Sequence, residues 1–423
     1  MTGPGIDRRG LFAGGAGVAL LAAAGAGHAA SPAAPAGTMV SARDFGAVGD
    51  GIADDTDALQ RVFEAALAGP QAAVVTIPPG HYRVTRPIDV TSKGRPDGNI
   101  THRAGILAQG ARLMSEIAGN NPVIRIESKA VIRYFLIEGL QIKGSGKDGH
   151  GLLIDCQKRG TYFYNFCLRD IVVEGCGADG CHLVGNIFEG QIFNSYFRDN
   201  KGNGATFSHG AENTVLSAVH VFGCVFGGNG AHGVKMINGA VDVSFHGCYF
   251  LLNQFFGLSA REGCTLLSHC GFENNHMRAK DFASGGAGID LMVFGTLIGC
   301  TAYSIYQQTH LIRAFVTNRL VMIGCTADGG GGAEKARLAA LHGKADASIT
   351  LVGCYGGIDR QGKASILEFG ATGGSARFGG QWDSPGLAWL GDHSLWVDRE
   401  GRLRMKRGAP QADDDGTIVG ATS

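Results

Sequence analysis

A short glycine-led strand recurs through the chain, and it limits the possible folds more than any other feature. It reads Gly151-Leu152-Leu153-Ile154, Gly180-Cys181-His182-Leu183, Gly204-Ala205-Thr206-Phe207, Gly233-Val234-Lys235-Met236, Gly257-Leu258-Ser259-Ala260 and Gly288-Ile289-Asp290-Leu291. The glycines stand 29, 24, 29, 24 and 31 residues apart. A period of this length points to a solenoid, whose units bury their apolar faces only against one another. A second strand lies between successive glycines, as in Gln191–Phe197 and Val243–Phe250, and Asn/Gly turns such as Asn200-Lys201-Gly202-Asn203 follow it. Helical periodicity over 10–12 residues is almost absent after residue 70, which disfavours helical repeats. Stacked coils about 4.8 Å apart are expected, roughly a dozen between Val74 and Gly401.

Composition closes off other classes. Glycine supplies 69 of 423 residues without a three-residue period, so collagen is excluded. Apolar residues make up 44% and charged residues 17%, too apolar for a disordered chain. Lys+Arg and Asp+Glu both count 37, so the chain has no global basic footprint for nucleic acid. The 11 cysteines include no Cys-x-x-Cys pair, but Gly-Cys recurs at 223–224, 247–248, 299–300, 324–325 and 353–354. This reads as a column of stacked core thiols, not as disulfides or metal ligands.

The N-terminal region carries two signatures. Residues 1–37 contain Arg8-Arg9, an Ala/Gly-rich apolar run and small-residue cleavage sites, and resemble a twin-arginine export signal. A periplasmic or secreted location is therefore expected, with no membrane association once the signal is removed. Residues 38–72 hold Asp44-Phe45-Gly46-Ala47-Val48-Gly49-Asp50-Gly51, Asp54-Asp55-Thr56, and an apolar stripe of Leu59, Val62, Phe63, Ala66 and Leu67 at helical spacing; Pro78-Pro79-Gly80-His81-Tyr82 follows. The acidic residues are explained by turn and cap chemistry.

This segment resembles the opening signature of the pectate-lyase-like superfamily of right-handed parallel β-helix proteins. The resemblance implies an all-β fold: a single-stranded right-handed parallel β-helix over 73–381, an N-terminal capping helix, and a small C-terminal β cap with polar tail over 382–423. It also implies that an extended polysaccharide lies along a strip of stacked strands.

The repeat locates such a strip. Counting the leading glycine as zero, positions one and three are apolar or small and face the core. Positions two and four alternate to the other face. They carry Asp155, His182, Lys235, Arg261 and Asp290, with His209, Glu212 and Glu262 just beyond. Elimination at a uronate needs a base for the proton beside the carboxylate and a cation to neutralise that carboxylate. His209 or Lys235 is the expected base, Arg261 the carboxylate clamp and Asp290 an acid. Asp155, His182, Glu212 and Glu262 are expected substrate contacts. No metal ligand set or cofactor motif is found, and calcium is compatible with the sequence but not indicated by it.

A polysaccharide lyase is the leading expectation. A polygalacturonase-like hydrolase with paired carboxylates is the first alternative, although the ordered motifs of that family are missing; Asp148-Gly149-His150-Gly151 is an isolated look-alike. A non-catalytic glycan-binding or structural β-helix is the second. Nothing in the pattern sets an oligomeric state.

Overall fold

The structure is a computed structural model. It describes residues 39–419 apart from 68–73, 93–98, 101–103, 130, 159, 211–213, 238–239, 241, 261–263, 278–285, 292–293, 305–307, 317–318, 330–336, 344–347, 356–357, 363–364, 370–387, 391–392, 399, 409 and 413. The expected export signal lies outside the described residues. Among the described residues, no helix is long and apolar enough to cross a membrane.

The chain winds as a right-handed parallel β-helix with three parallel sheets. One sheet carries the glycine-led strands, and its members are β1 (Ile88–Ser92), β2 (Ile124–Ser128), β3 (Leu152–Cys156), β4 (Cys181–Gly185), β5 (Ala205–Ser208), β6 (Val234–Ile237), β7 (Leu258–Ala260), β8 (Gly286–Leu291), β9 (Gln308–Val316), β10 (Arg337–Gly343) and β11 (Ile358–Gly362). We call it the groove sheet. Its register is the one the repeat predicts: Leu152, Cys181, Ala205, Val234, Leu258 and Ile289 align in one column. A second sheet of 11 strands, including Tyr196–Arg198 and Tyr249–Leu251, forms another wall, here called the side sheet.

Like residues stack inside. Phe197, Phe226, Phe250 and Phe272 are buried in succession, with ring centroids 5.3, 5.2 and 4.6 Å apart. At the turn before the groove sheet, Asn200, Asn229, Asn253 and Asn275 form a buried ladder. Each Nδ2 donates to the next Oδ1, at 3.1, 2.9 and 2.8 Å. The ladder explains the leading glycines. A Cβ on Gly180, Gly204 or Gly233 would lie 2.7, 2.8 and 2.9 Å from Nδ2 of Asn200, Asn229 and Asn253. The Gly-Cys pairs have their own cause. Gly223, Gly247, Gly299, Gly324 and Gly353 all turn the chain with φ near +59°, and the thiols that follow stack in a column with Cys270.

The N-terminal end is covered. Helix α1 (Thr56–Leu67) buries Leu59, Val62, Phe63, Ala66 and Leu67, as its spacing requires. Asp55 accepts from the N–H groups of Val48 and Gly49 at 2.6 and 3.0 Å, so the acidic cluster serves the turn and the cap. Later in the chain, Ala388–Leu390, His393–Val397, Leu403–Arg407 and Thr417–Ile418 form a small antiparallel sheet with buried Trp396.

Candidate functional site

The groove sheet brings the expected strip together, but recessed. Asp89, Arg125, Leu153, His182, Thr206, Lys235, Ser259, Asp290 and Arg313 follow one another at position two. The expectation that positions two and four stand in solvent is corrected: Thr206 and Ser259 are only 3% and 4% exposed, Val184 and Ser208 7% and 2%. At Thr206 the turn residues before two leading glycines, Asp179 and Asn203, close over the strand. Backbone hydrogen bonds stack the residues before the leading glycines into a second column of His150, Asp179, Asn203, His232 and Phe256. The two columns form the walls of the recess.

At its centre lies a chain of directed hydrogen bonds. The Asp179 N–H donates to His150 Nδ1 at 3.2 Å, so the hydrogen of neutral His150 sits on Nε2. That nitrogen faces His182 Nδ1 at 3.4 Å, and His182 Nε2 in turn faces Ser208 Oγ at 3.2 Å. The same tautomer, Nε2–H, therefore satisfies both rings. Their planes meet edge to face, 4.8 Å between centroids. Burial lowers the pKa of both imidazoles, the Asp179 charge only partly opposing it at His150. His182 is held down to about 4, by burial first and by its neighbour His150 second. Both rings are neutral near pH 7.

Asp179 anchors this arrangement. Its Oδ1 accepts from the Asn203 N–H and Nδ2 at 2.7 and 3.1 Å, and its Oδ2 accepts from Thr206 Oγ1 at 2.8 Å. One ligand atom from each of His150, Asp179 and His182 lies within 4.8 Å of the others, so the trio is the place among the described residues where a cation could be held. The two facing ring nitrogens already share one hydrogen, and the carboxylate is engaged by Asn203 and Thr206. The geometry is that of a hydrogen-bond network.

Charged groups flank this centre. Asp155 pairs with Arg125 at 3.1 Å, and Arg125 also reaches Asp89 at 3.7 Å. Lys235 is half-buried two strands beyond His182. His209 lies just past β5, and its carbonyl accepts from the Thr214 hydroxyl. The backbone of Asp290 is paired between Ser259 and Arg313, four strands from His182. Glu212, Arg261 and Glu262 lie outside the described residues. Farther along, His232 stacks on Phe256 at 5.6 Å, His276 packs against the same ring at 5.3 Å, and the Arg313 guanidinium lies 4.7 Å above it.

Sequence reasoning set aside His150, read Asn203 only as a turn residue and did not consider Asp179. The available signal was the residue before each leading glycine: the strand register that aligned the glycines aligns these residues too.

The site is a largely buried His–Asp–His cluster at one sheet of a parallel β-helix. Residues 39–250, half of the chain, match the rhamnogalacturonase A/epimerase, pectate lyase-like family, and the chain belongs to that family. Residues 357–421 match the capsule depolymerase family. A curated relative, mannuronan C5-epimerase AlgE6 of Azotobacter vinelandii, is 31% identical over 149 residues, covering 35% of this chain and 14% of that protein. The fold is shared with ORF18 of Geobacillus virus E2, at 18% identity and TM-score 0.57 over 88% of this chain and 67% of that one. It is shared also with the enzymatically active domain of bacteriophage CBA120 tailspike protein 2, at 12% identity and TM-score 0.57 over 87% and 57%. The chain is thus a parallel β-helix of this family, and the relatives it matches are named for polysaccharide epimerisation and capsule depolymerisation.

Proposed function

We propose that this protein acts on a uronate-containing polysaccharide by removing the proton beside the sugar carboxylate, with elimination across the glycosidic bond. The His150–His182 pair carries this reading. It sets a lone pair on His182 Nδ1 beside an N–H on His150 Nε2, only 3.4 Å apart. Substrate entering between the rings replaces one long hydrogen bond with two useful contacts. His182 Nδ1 takes the C5 proton, the C4–O bond breaks as a C4–C5 double bond forms, and His150 delivers its Nε2 proton to the departing oxygen. A base and an acid on the same side suit a syn elimination. Both rings are neutral near pH 7, the form in which one can accept a proton and the other donate one. Lys235 and Arg125 lie two strands from His182 on opposite sides, about 10 Å away, as counter-charges for neighbouring carboxylates.

The same first step without loss of the leaving group is epimerisation, which the name of the mannuronan C5-epimerase relative describes. The capsule depolymerase match supports chain cleavage. Hydrolysis is the second reading, favoured by that match and by two carboxylates near His182, Asp155 on the adjoining strand and Asp179 in the turn that leads into the strand of His182. The twin-arginine-like segment is in keeping with an activity in the periplasm or outside the cell.

The test is incubation of the full chain with alginate, polygalacturonate and dextran in D2O. Unsaturated-uronate absorbance from either polyuronate, lost in His182→Ala, is the expected result. Deuterium at C5 without absorbance assigns epimerisation, and reducing ends without absorbance assign hydrolysis. No change in any polymer overturns the enzymatic reading in favour of glycan binding.

A further inference from the structure

The side sheet presents its own pattern to solvent, on a wall the groove does not use. Its outward residues form two columns. In one, Tyr196, Val225, Tyr249, Gly271, Thr301, Thr326 and Tyr355 follow one another coil by coil. In the other, Lys143, Glu174, Arg198, Gly227, Leu251, Glu273 and Tyr303 do the same. Tyrosine thus appears at every second coil: Tyr196, Tyr249, Tyr303 and Tyr355. Their exposures are 42%, 43%, 41% and 58%, high for large aromatic side chains.

The step between these rings is set by the core beneath them. Phe197 to Phe226 and Phe226 to Phe250 are 5.3 and 5.2 Å, so Tyr196 and Tyr249 lie about 10 Å apart along the axis. This is close to the length of a disaccharide in an extended pyranose chain. Tyr249 is also oriented. Its ring lies across Gly271 of the next coil, where an added Cβ would meet Cε2 at 2.4 Å, and its hydroxyl donates to Glu273 at 3.3 Å. A ring laid along the axis offers a flat face to a polymer running the same way.

The charge on this wall is uneven as well. Glu174 alone receives Arg112, Lys143 (3.6 Å) and Arg198 (2.7 Å), so three cations share one carboxylate. Arg198 stands two residues from Tyr196 on the same strand. The cationic cluster therefore runs directly into the tyrosine row.

We propose that the side sheet is a second, non-catalytic binding surface for an acidic polysaccharide, with sugar rings stacked on alternate-coil tyrosines and carboxylates met by Arg112, Lys143 and Arg198. Aromatic faces favour the C–H side of a sugar ring. The net positive cluster supplies complementarity that a neutral glycan would not need. The surface stands on its own residues and does not depend on the chemistry proposed for the groove.

The test measures binding of the full chain to immobilised alginate and polygalacturonate, with dextran as the neutral control. The variants are Tyr196→Ala/Tyr249→Ala, Lys143→Ala/Arg198→Ala and His182→Ala, each checked for folding by circular dichroism and for mass in solution by light scattering. The expected result is binding to a polyuronate but not to dextran. The tyrosine pair should weaken it at least tenfold, the cationic pair should weaken it and flatten its salt dependence, and His182→Ala should leave it within twofold. Turnover of short oligosaccharides, if the groove is active, should be unchanged in the tyrosine pair. The proposal is overturned if no polyuronate binds, if dextran binds equally, if His182→Ala removes the binding, or if the tyrosine pair changes only the oligomeric mass.

Discussion

Two columns run side by side through the turns before the groove sheet, three residues apart in sequence. One is Asn200, Asn229, Asn253 and Asn275; the other is Asn203, His232, Phe256 and their predecessors Asp179 and His150. The first repeats one side chain because each asparagine must satisfy the next in a dry interior. The second changes at every coil. Both share a backbone path and register, so the fold cannot account for the difference. Repetition marks the column that holds the coils together, and the varied column is the one that carries His150 and Asp179 of the proposed site.

The largest expected effect is on the first column. Asn229→Ala removes an amide that donates to Phe197 O and Asn253 Oδ1 and accepts from Asn200. Several buried groups lose partners together, and a cost of about 4 kcal/mol is expected, read as a lower urea midpoint. His182→Ala should cost under about 1 kcal/mol of stability while lowering turnover about 10²- to 10⁴-fold. A loss of stability comparable to that of Asn229→Ala would put His182 with the ladder.

Asn203→Ala sharpens the contrast, since it deletes the same side chain three residues away. It frees Asp179 Oδ1 and Thr206 of one donor and the His232 N–H of its acceptor, at a half-buried site. About 1–2 kcal/mol of stability is expected, with turnover reduced about tenfold as Asp179 loses its brace.

A pH dependence separates the two columns as well. His150 and His182 both have folded pKa values below the usual 6.5, that of His182 about 4. The unfolded chain then binds more protons in the window between them, so their contribution to stability is full above about pH 6.5 and is lost as the pH falls toward 4. The fall in thermal midpoint across that window should shrink in a His150→Gln/His182→Gln variant. An undiminished fall would assign it to other groups.

Much of this was legible in the sequence. The leading glycines gave the period and the register, because a β-strand's two faces follow from simple alternation. The stripe Leu59, Val62, Phe63, Ala66, Leu67 gave the capping helix. The strip placed His182, Lys235 and Asp155 together on one sheet. The depth of the recess was not legible, because Thr206 is covered by the turn side chains of Asp179 and Asn203, whose rotamers no strand pattern encodes. His150 was missed for a related reason: its partnership with His182 joins a turn residue to a strand residue of the next coil, and strand counting compares only strands with strands. The cause of the leading glycines was hidden as well, since it lies in asparagines of the neighbouring turn.

The acid and base roles require His150 and His182 to be a neutral pair with a set direction, one donating and one accepting. Long-range nitrogen–proton correlation NMR on the histidine-labelled full chain tests this directly, with His150→Gln and His182→Gln spectra giving the assignments. Both rings should show the Nε2–H tautomer at pH 7 and remain neutral well below pH 6.5, with their signals moving together as the pH is lowered. A ring carrying its proton on Nδ1, or one that titrates at or above 6.5, would contradict the hydrogen-bond direction from which the acid and base roles were derived.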